Sequence, residues 1–172
     1  MKSQALSIII LLIAITAHAD EIAFPTDWRL PTDEESEKGM LKWRNKDSNR
    51  YLAAIADFNG DGKNDKALML VNDKTNKMRL YVFLSYYNNA IQAIILNEFE
   101  PKSWVSAMGV SVANPGKYET ACGKGYFECG PNESEILELT RPAINFLKYE
   151  SANSFFYWND KTNNFLQVQM SD

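Results

Sequence analysis

At 172 residues with 45% hydrophobic side chains, the chain is long enough to bury one sizeable core. Its formal net charge is −4 and no basic stripe runs through it, which makes nucleic acid a poor partner. It holds a single histidine, His18, so paired-imidazole zinc sites are excluded from the start.

The amino terminus has the layout of an export leader. Met1-Lys2 supplies a short positive region, Leu6–Ile15 is an almost unbroken apolar stretch, and Ala17-His18-Ala19 offers small residues at the two positions a signal peptidase reads. The apolar stretch is far short of the roughly 20 residues that span a bilayer, so no membrane insertion is expected after cleavage. No cysteine follows the cleavage site, which argues against a lipid anchor. The expected product is a single domain, residues 20–172, in the periplasm or outside the cell. His18 leaves with the leader, and with it every Ser-His, Cys-His or His general-base arrangement. Lys2 leaves too, taking the formal charge from −4 to −5.

Phe24-Pro25-Thr26-Asp27-Trp28-Arg29-Leu30-Pro31 reads as a two-proline arm running extended over the surface. Thr32 and Glu35 have capping-box spacing, which predicts one short helix over Asp33–Glu37, ended by Gly39. From Arg50 the texture turns to strands. Tyr51–Ala56, Lys66–Asn72, Met78–Tyr86 and Ile91–Phe99 are apolar runs broken by turn-forming residues. Met78, Leu80, Val82 and Leu84 alternate with Arg79, Tyr81, Phe83 and Ser85. The breaks are an Asp-rich loop, Asp73-Lys74-Thr75-Asn76, and Asn88-Asn89. Such short connections predict an antiparallel four-stranded meander.

Further strands are expected over Val105–Ala113, ending at Asn114-Pro115-Gly116, then Glu135–Thr140, Ile144–Tyr149, Ser154–Trp158 and Phe165–Met170. The last two are joined by a polar hairpin connection, Asn159–Asn164. The fold class is therefore mostly β, an antiparallel meander with one short N-terminal helix. Cys122 and Cys129, seven apart, read as one local disulfide closing a small Gly-containing loop. The rival, a redox or metal-binding pair, lacks CxxC spacing and a third ligand.

The chemistry-bearing motif is Asp57-Phe58-Asn59-Gly60-Asp61-Gly62-Lys63-Asn64-Asp65. A hard cation such as Ca²⁺ takes six to eight oxygens at about 2.3–2.6 Å, and alternate positions of a tight loop supply them. Asp57, Asn59 and Asp61 stand at positions one, three and five. Lys63 offers its backbone carbonyl at seven, and Asp65 closes the set at nine. Gly60 and Gly62 permit the left-handed angles such a wrap requires. The competing account is a plain polar turn, since Asp, Asn and Gly dominate turns. Three carboxylates crowded together without a cation repel one another, which favours the metal. Position twelve is Leu68, within an apolar run, where an EF-hand needs a bidentate Glu.

The stretch Ala56–Ala67 resembles the calcium loop of FG-GAP and VCBS repeats, the strand–loop–strand units of integrin-type β-propellers. That resemblance spans about residues 50–99 and implies calcium at Asp57, Asn59, Asp61, Lys63 and Asp65, with a strand on each side. It implies no propeller, because closing one takes several blades and this chain has one loop.

All five ligands come from one local turn, whereas catalytic metals keep an open position and draw on several elements. The ion is accordingly expected to be structural. Glu133, Glu135 and Glu138 are the candidates for a glycosidase-type carboxylate pair, but Glu135 and Glu138 differ by an odd number and face opposite sides of a regular strand. Phe155, Phe156, Tyr157 and Trp158, with Phe165, are expected to fill core on one face and partly cover the other. Asn132-Glu133-Ser134 is a glycosylation sequon. The expected function is an exported, non-catalytic binding protein engaging another protein of the envelope. By analogy of layout it is an inhibitor or immunity protein against an envelope-acting lytic enzyme. The alternative is a carboxylate-dependent hydrolase of envelope polymers.

Overall fold

The computed structural model describes residues 22–86, 90–131 and 133–171. The expected leader, the Asn88-Asn89 break and the sequon's Asn132 lie outside the described residues. Within them the architecture is mostly β and antiparallel. The meander is present: β2 (Ala53–Ala56), β3 (Asp65–Asn72), β4 (Lys77–Ser85) and β5 (Ile91–Phe99) pair in sequence order. A two-residue strand, β1 (Trp28–Arg29), pairs with Val71 and Asn72, further along the same edge of β3 that β2 occupies.

A second antiparallel sheet has the order β11 (Asn164–Ser171), β10 (Asn153–Asn159), β9 (Ala143–Lys148), β6 (Met108–Ala113). A ribbon of β7 (Gly116–Glu119) and β8 (Ile136–Leu139) stands beside it. The two sheets share one core. Met69, Val71, Met78, Leu80, Val82 and Leu84 from the first cluster with Val110, Ile144, Phe146 and Phe156 from the second. The alternation of β4 places Met78 to Leu84 in this core. Its other side is also buried, because Tyr81 and Phe83 join Leu68 and Leu70 beneath Ile22, Phe24 and Trp28. The proline-bounded arm thus lies over apolar sheet rather than over open surface. Trp28 meets Tyr81 edge-on at 5.5 Å between ring centroids, and Phe24 lies 6.0 Å from Phe83.

The outer face of the second sheet is partly covered by the β7–β8 ribbon, where Tyr118, Leu137 and Leu139 pack on Phe155 and Met170. Phe155 and Phe156 therefore enter two different clusters, as the period of a strand requires. Polar turns close the hairpins: Asn72 Oδ1 accepts from the N–H groups of Lys74 and Thr75, and Asn159 Oδ1 from that of Lys161.

Helix α1 (Asp33–Glu37) has its full capping box, with the Glu35 N–H donating to Thr32 Oγ1 and the Thr32 N–H to the Glu35 carboxylate. Gly39 follows at φ +75°. The expectation of one helix is corrected, since a second, α2 (Leu41–Arg44), follows. It has no side-chain cap and is held by Arg44, whose guanidinium is fully buried. Arg44 donates to the carbonyls of Ser36, Arg50, Tyr51, Val105 and Met108. A second correction concerns Val105. The expected strand from Val105 begins instead at Met108, preceded by a 3-10 turn over Lys102–Ser106. Val105 is apolar because that turn buries it in the core. Glu135 stands just before β8, not within it.

Candidate metal centre

The Asp-rich loop bridges β2 and β3, whose register pairs Ala56 with Asp65. Asp57 organises the wrap. Its Oδ1 accepts from the N–H groups of Gly60 (2.7 Å) and Asp61 (3.1 Å), and its Oδ2 from that of Gly62 (2.8 Å). Asn59 Oδ1 accepts from the Asp61 N–H at 3.0 Å, and Asp61 Oδ1 from the Lys63 N–H at 2.9 Å. Gly60 and Gly62 adopt φ +79° and +85°, the left-handed angles that turn these amides inward. The side chains at positions one, three and five are thereby gathered by one turn of backbone.

The remaining two positions behave differently. Lys63 turns its ammonium outward from the wrap to the Tyr86 carbonyl at 2.6 Å. Asp65 is fully buried, its Oδ1 accepting from the Ser85 N–H and its Oδ2 from the Phe58 N–H, both at 2.9 Å. Burial pushes its acid up to about 6 against the pull of those N–H donors, and the charge of Asp61 adds to the rise. Asp65 thus joins the loop to the far end of β4. A carboxylate has about four lone-pair sites, and an amide oxygen two. The Asp57, Asn59, Asp61 and Asp65 side chains each keep at least one site beyond these hydrogen bonds, and the donors are all hard oxygen. Among the described residues no group of three or more His, Cys, Asp and Glu side chains converges as a metal-binding cluster.

The contact that local pattern missed is Arg141. Its Nη1 donates to the Asn59 carbonyl at 2.6 Å, while the guanidinium forks onto Asp160 at 3.0 and 2.8 Å. A Cβ on Gly60 would lie 2.7 Å from Arg141 Nη1, so a side chain there would have to displace the arginine as well as adopt a left-handed backbone angle. Arg141 lies where the ribbon leads into β9 and Asp160 in the β10–β11 turn, so the loop of the first sheet is also moored to the second. Beside it opens a hollow of about 490 Å³, lined among others by Asp61, Tyr86, Gln92, Trp158 and Asp160. No single residue of this mooring carries a signal in the sequence, because 82 positions separate Arg141 from Asn59.

The other candidates fall elsewhere. Glu133, Glu135 and Glu138 are all exposed. Glu133 accepts from the Gly130 N–H and Glu138 lies 3.4 Å from Lys117, while Glu135 meets Thr120 through its backbone carbonyl. The structure thus draws Glu133 and Glu138 to separate surface partners. Cys122 and Cys129 are bonded as a disulfide with Cα atoms 5.0 Å apart. No helix among the described residues is long and apolar enough to cross a membrane. Comparison of the chain with protein-family models, with curated proteins and with solved structures finds no match.

Proposed function

We propose that the chain is an exported, non-catalytic binding protein whose loop Asp57–Asp65 is stapled by a calcium ion. The observation that carries this reading is the wiring of the loop. Its oxygen-bearing side chains are wound around their own backbone, and Asp65 ties them to the end of β4. Asp57, Asn59, Asp61, the Lys63 carbonyl and Asp65 would hold the ion, which supplies the positive charge that the buried Asp65 and neighbouring Asp61 call for. An ion held by one local turn would order that turn, whereas catalytic metals draw ligands from several elements.

The partner on this reading is another protein of the periplasm or cell exterior, in the manner of an inhibitor or immunity protein. That step is an analogy from layout: a leader, one disulfide, a sheet-rich domain and no imidazole once the leader is gone. The competing function is a carboxylate-dependent hydrolase of envelope polymers, whose acidic residues no motif singles out; the glycosidase-type candidates Glu133 and Glu138 have separate partners.

Calcium titration of residues 20–172, with thermal melts in calcium and in chelator, tests the staple. One-to-one binding lost in Asp61→Ala is the expected outcome. With a dissociation constant of about 10⁻⁴–10⁻³ M, as in extracellular modules, millimolar calcium adds about 0.4–1.4 kcal/mol of stability. Melts unchanged by chelator, with no heat of binding, would reduce the segment to an ordinary turn.

A further inference from the structure

The loop closed by Cys122–Cys129 is built unlike the other connections of the fold. Its base is buried and fixed. Thr120, Ala121 and Cys122 are at most 8% exposed. The Ala121 N–H donates to the Gln169 carbonyl and Lys124 Nζ to that of Met170, which docks the base on β11. The Thr120 N–H and hydroxyl both reach the Glu135 carbonyl. Gly123 lies so close to the segment before β8 that a Cβ would come within 2.2 Å of the same oxygen. The amides of Lys124, Gly125 and Tyr126 bond back to Thr120, Cys122 and Ala121.

On this fixed base the tip presents Tyr126 at 54% exposure and Phe127 at 40%. They are the only aromatic side chains in the exposed class among the described residues, with Ile136 also exposed at 48% beside the base. The other aromatic rings among the described residues are buried or half-buried, so the fold does not hold this pair out for want of core. A side chain with few torsions, on a loop already ordered, loses little entropy when it enters a pocket. Large exposed aromatics of this kind are the residues that anchor protein interfaces.

The surrounding charge selects the occupant. Residues 119–136 carry Glu119, Glu128, Glu133 and Glu135 against a single cation, Lys124, and all five side chains are exposed. Exposed Glu128 follows Phe127 directly in the chain, and Glu119 stands across the ribbon from Ile136 at the base, so acid borders the loop at both levels. A convex apolar tip with an acidic collar is complementary to a concave site with a cationic rim.

We propose that the disulfide loop is the docking element of this protein, and that its partner is a cationic hydrolase of cell-wall glycan whose open cleft receives Tyr126 and Phe127. The proposal rests on the reading of the chain as an envelope binding protein and names the surface and the partner class. The collar guides approach, and the two rings hold the complex.

The test uses the oxidised protein with a panel of purified cell-wall glycan hydrolases of high isoelectric point, and acidic ones as the counter-set. Binding is read by interferometry at low and high salt. For a basic enzyme that binds, Tyr126→Ala with Phe127→Ala is expected to weaken affinity about 100-fold, mostly through faster dissociation. Glu133→Lys with Glu135→Lys is expected to slow association about 10-fold and flatten its salt dependence. Ile55→Ala, an exposed apolar change on the first sheet, is expected to leave both rates unchanged. Melting temperatures and the intact disulfide establish that each variant is folded. Binding that survives both loop variants overturns this surface and leaves the binding-protein reading standing. Acidic enzymes bound as well as basic ones overturn the cationic partner. A panel in which no hydrolase binds at all overturns the proposal and the reading beneath it together.

Discussion

Arg44 satisfies five backbone carbonyls with one side chain, and those carbonyls belong to α1, the turn before β2, the 3-10 turn and β6. Burial lowers its pKa from the ordinary arginine value, so its charge is held by carbonyl dipoles and by the Tyr149 ring 5.2 Å away. Arg44→Met removes every donor and strands the carbonyls in the interior. Urea unfolding should show a loss of about 3 kcal/mol or more, and Arg44→Lys should recover only part, because an ammonium lacks the planar fork. Glu35 sits in a second hub, in which Arg29 and Lys102 bridge it to Asp73. Hydrogen bonding to Arg29 holds the Glu35 carboxyl well below the usual range, and the same guanidinium, then Lys102, pulls Asp73 down to about 2. A depressed acid stabilises the fold above its unfolded pKa and loses that contribution as pH falls. Thermal stability should therefore decline between about pH 4.5 and pH 2, and Arg29→Met should make the decline shallower.

At the scale of elements, the Asp-rich loop and β2–β3 act as one piece with a turn of the opposite sheet. Gly60→Ala forces a side chain into a left-handed position and against Arg141 Nη1. The expected cost is about 1–2 kcal/mol in chemical denaturation, with weaker calcium binding in the same titration that tests the staple. What was legible in the sequence at this scale was whatever is decided locally. The capping box at Thr32 marks α1 because both of its partners lie within four residues. The apolar runs mark β3 to β5 because each strand pairs with its neighbour through a short turn. Helix α2 escaped notice because its four residues have no cap and depend on Arg44 reaching carbonyls more than 60 positions away. β1 and β7 are too short to show a period, and only their partners make them strands. The same division runs through the site. The residues of the wrap announce themselves by spacing, and the Arg141–Asp160 mooring does not.

For the molecule as a whole, the first sheet lies between two covers, the second sheet on one side and the arm on the other. The sequence suggested an arm on the surface; the apolar outer face of β3 and β4 explains why it is bound there. Phe24 and Trp28 cover Leu68, Leu70, Tyr81 and Phe83, with the Arg79 guanidinium 4.5 Å above the Trp28 ring. Deleting residues 22–28 uncovers that face. The expected result is a loss on the order of 3 kcal/mol, with binding of a hydrophobic dye to the still folded remainder.

Those two covers also set a timescale. Strand β4 has paired neighbours on both edges and packed side chains on both faces, with one ladder irregularity between Leu80 and Tyr81, a combination that ties exchange of most of its amides to large-scale opening. Met78–Leu84 is then the stretch whose deuterium uptake is expected to run at the slowest pace, far behind the turns. It is the interval against which every partial opening of this protein can be timed.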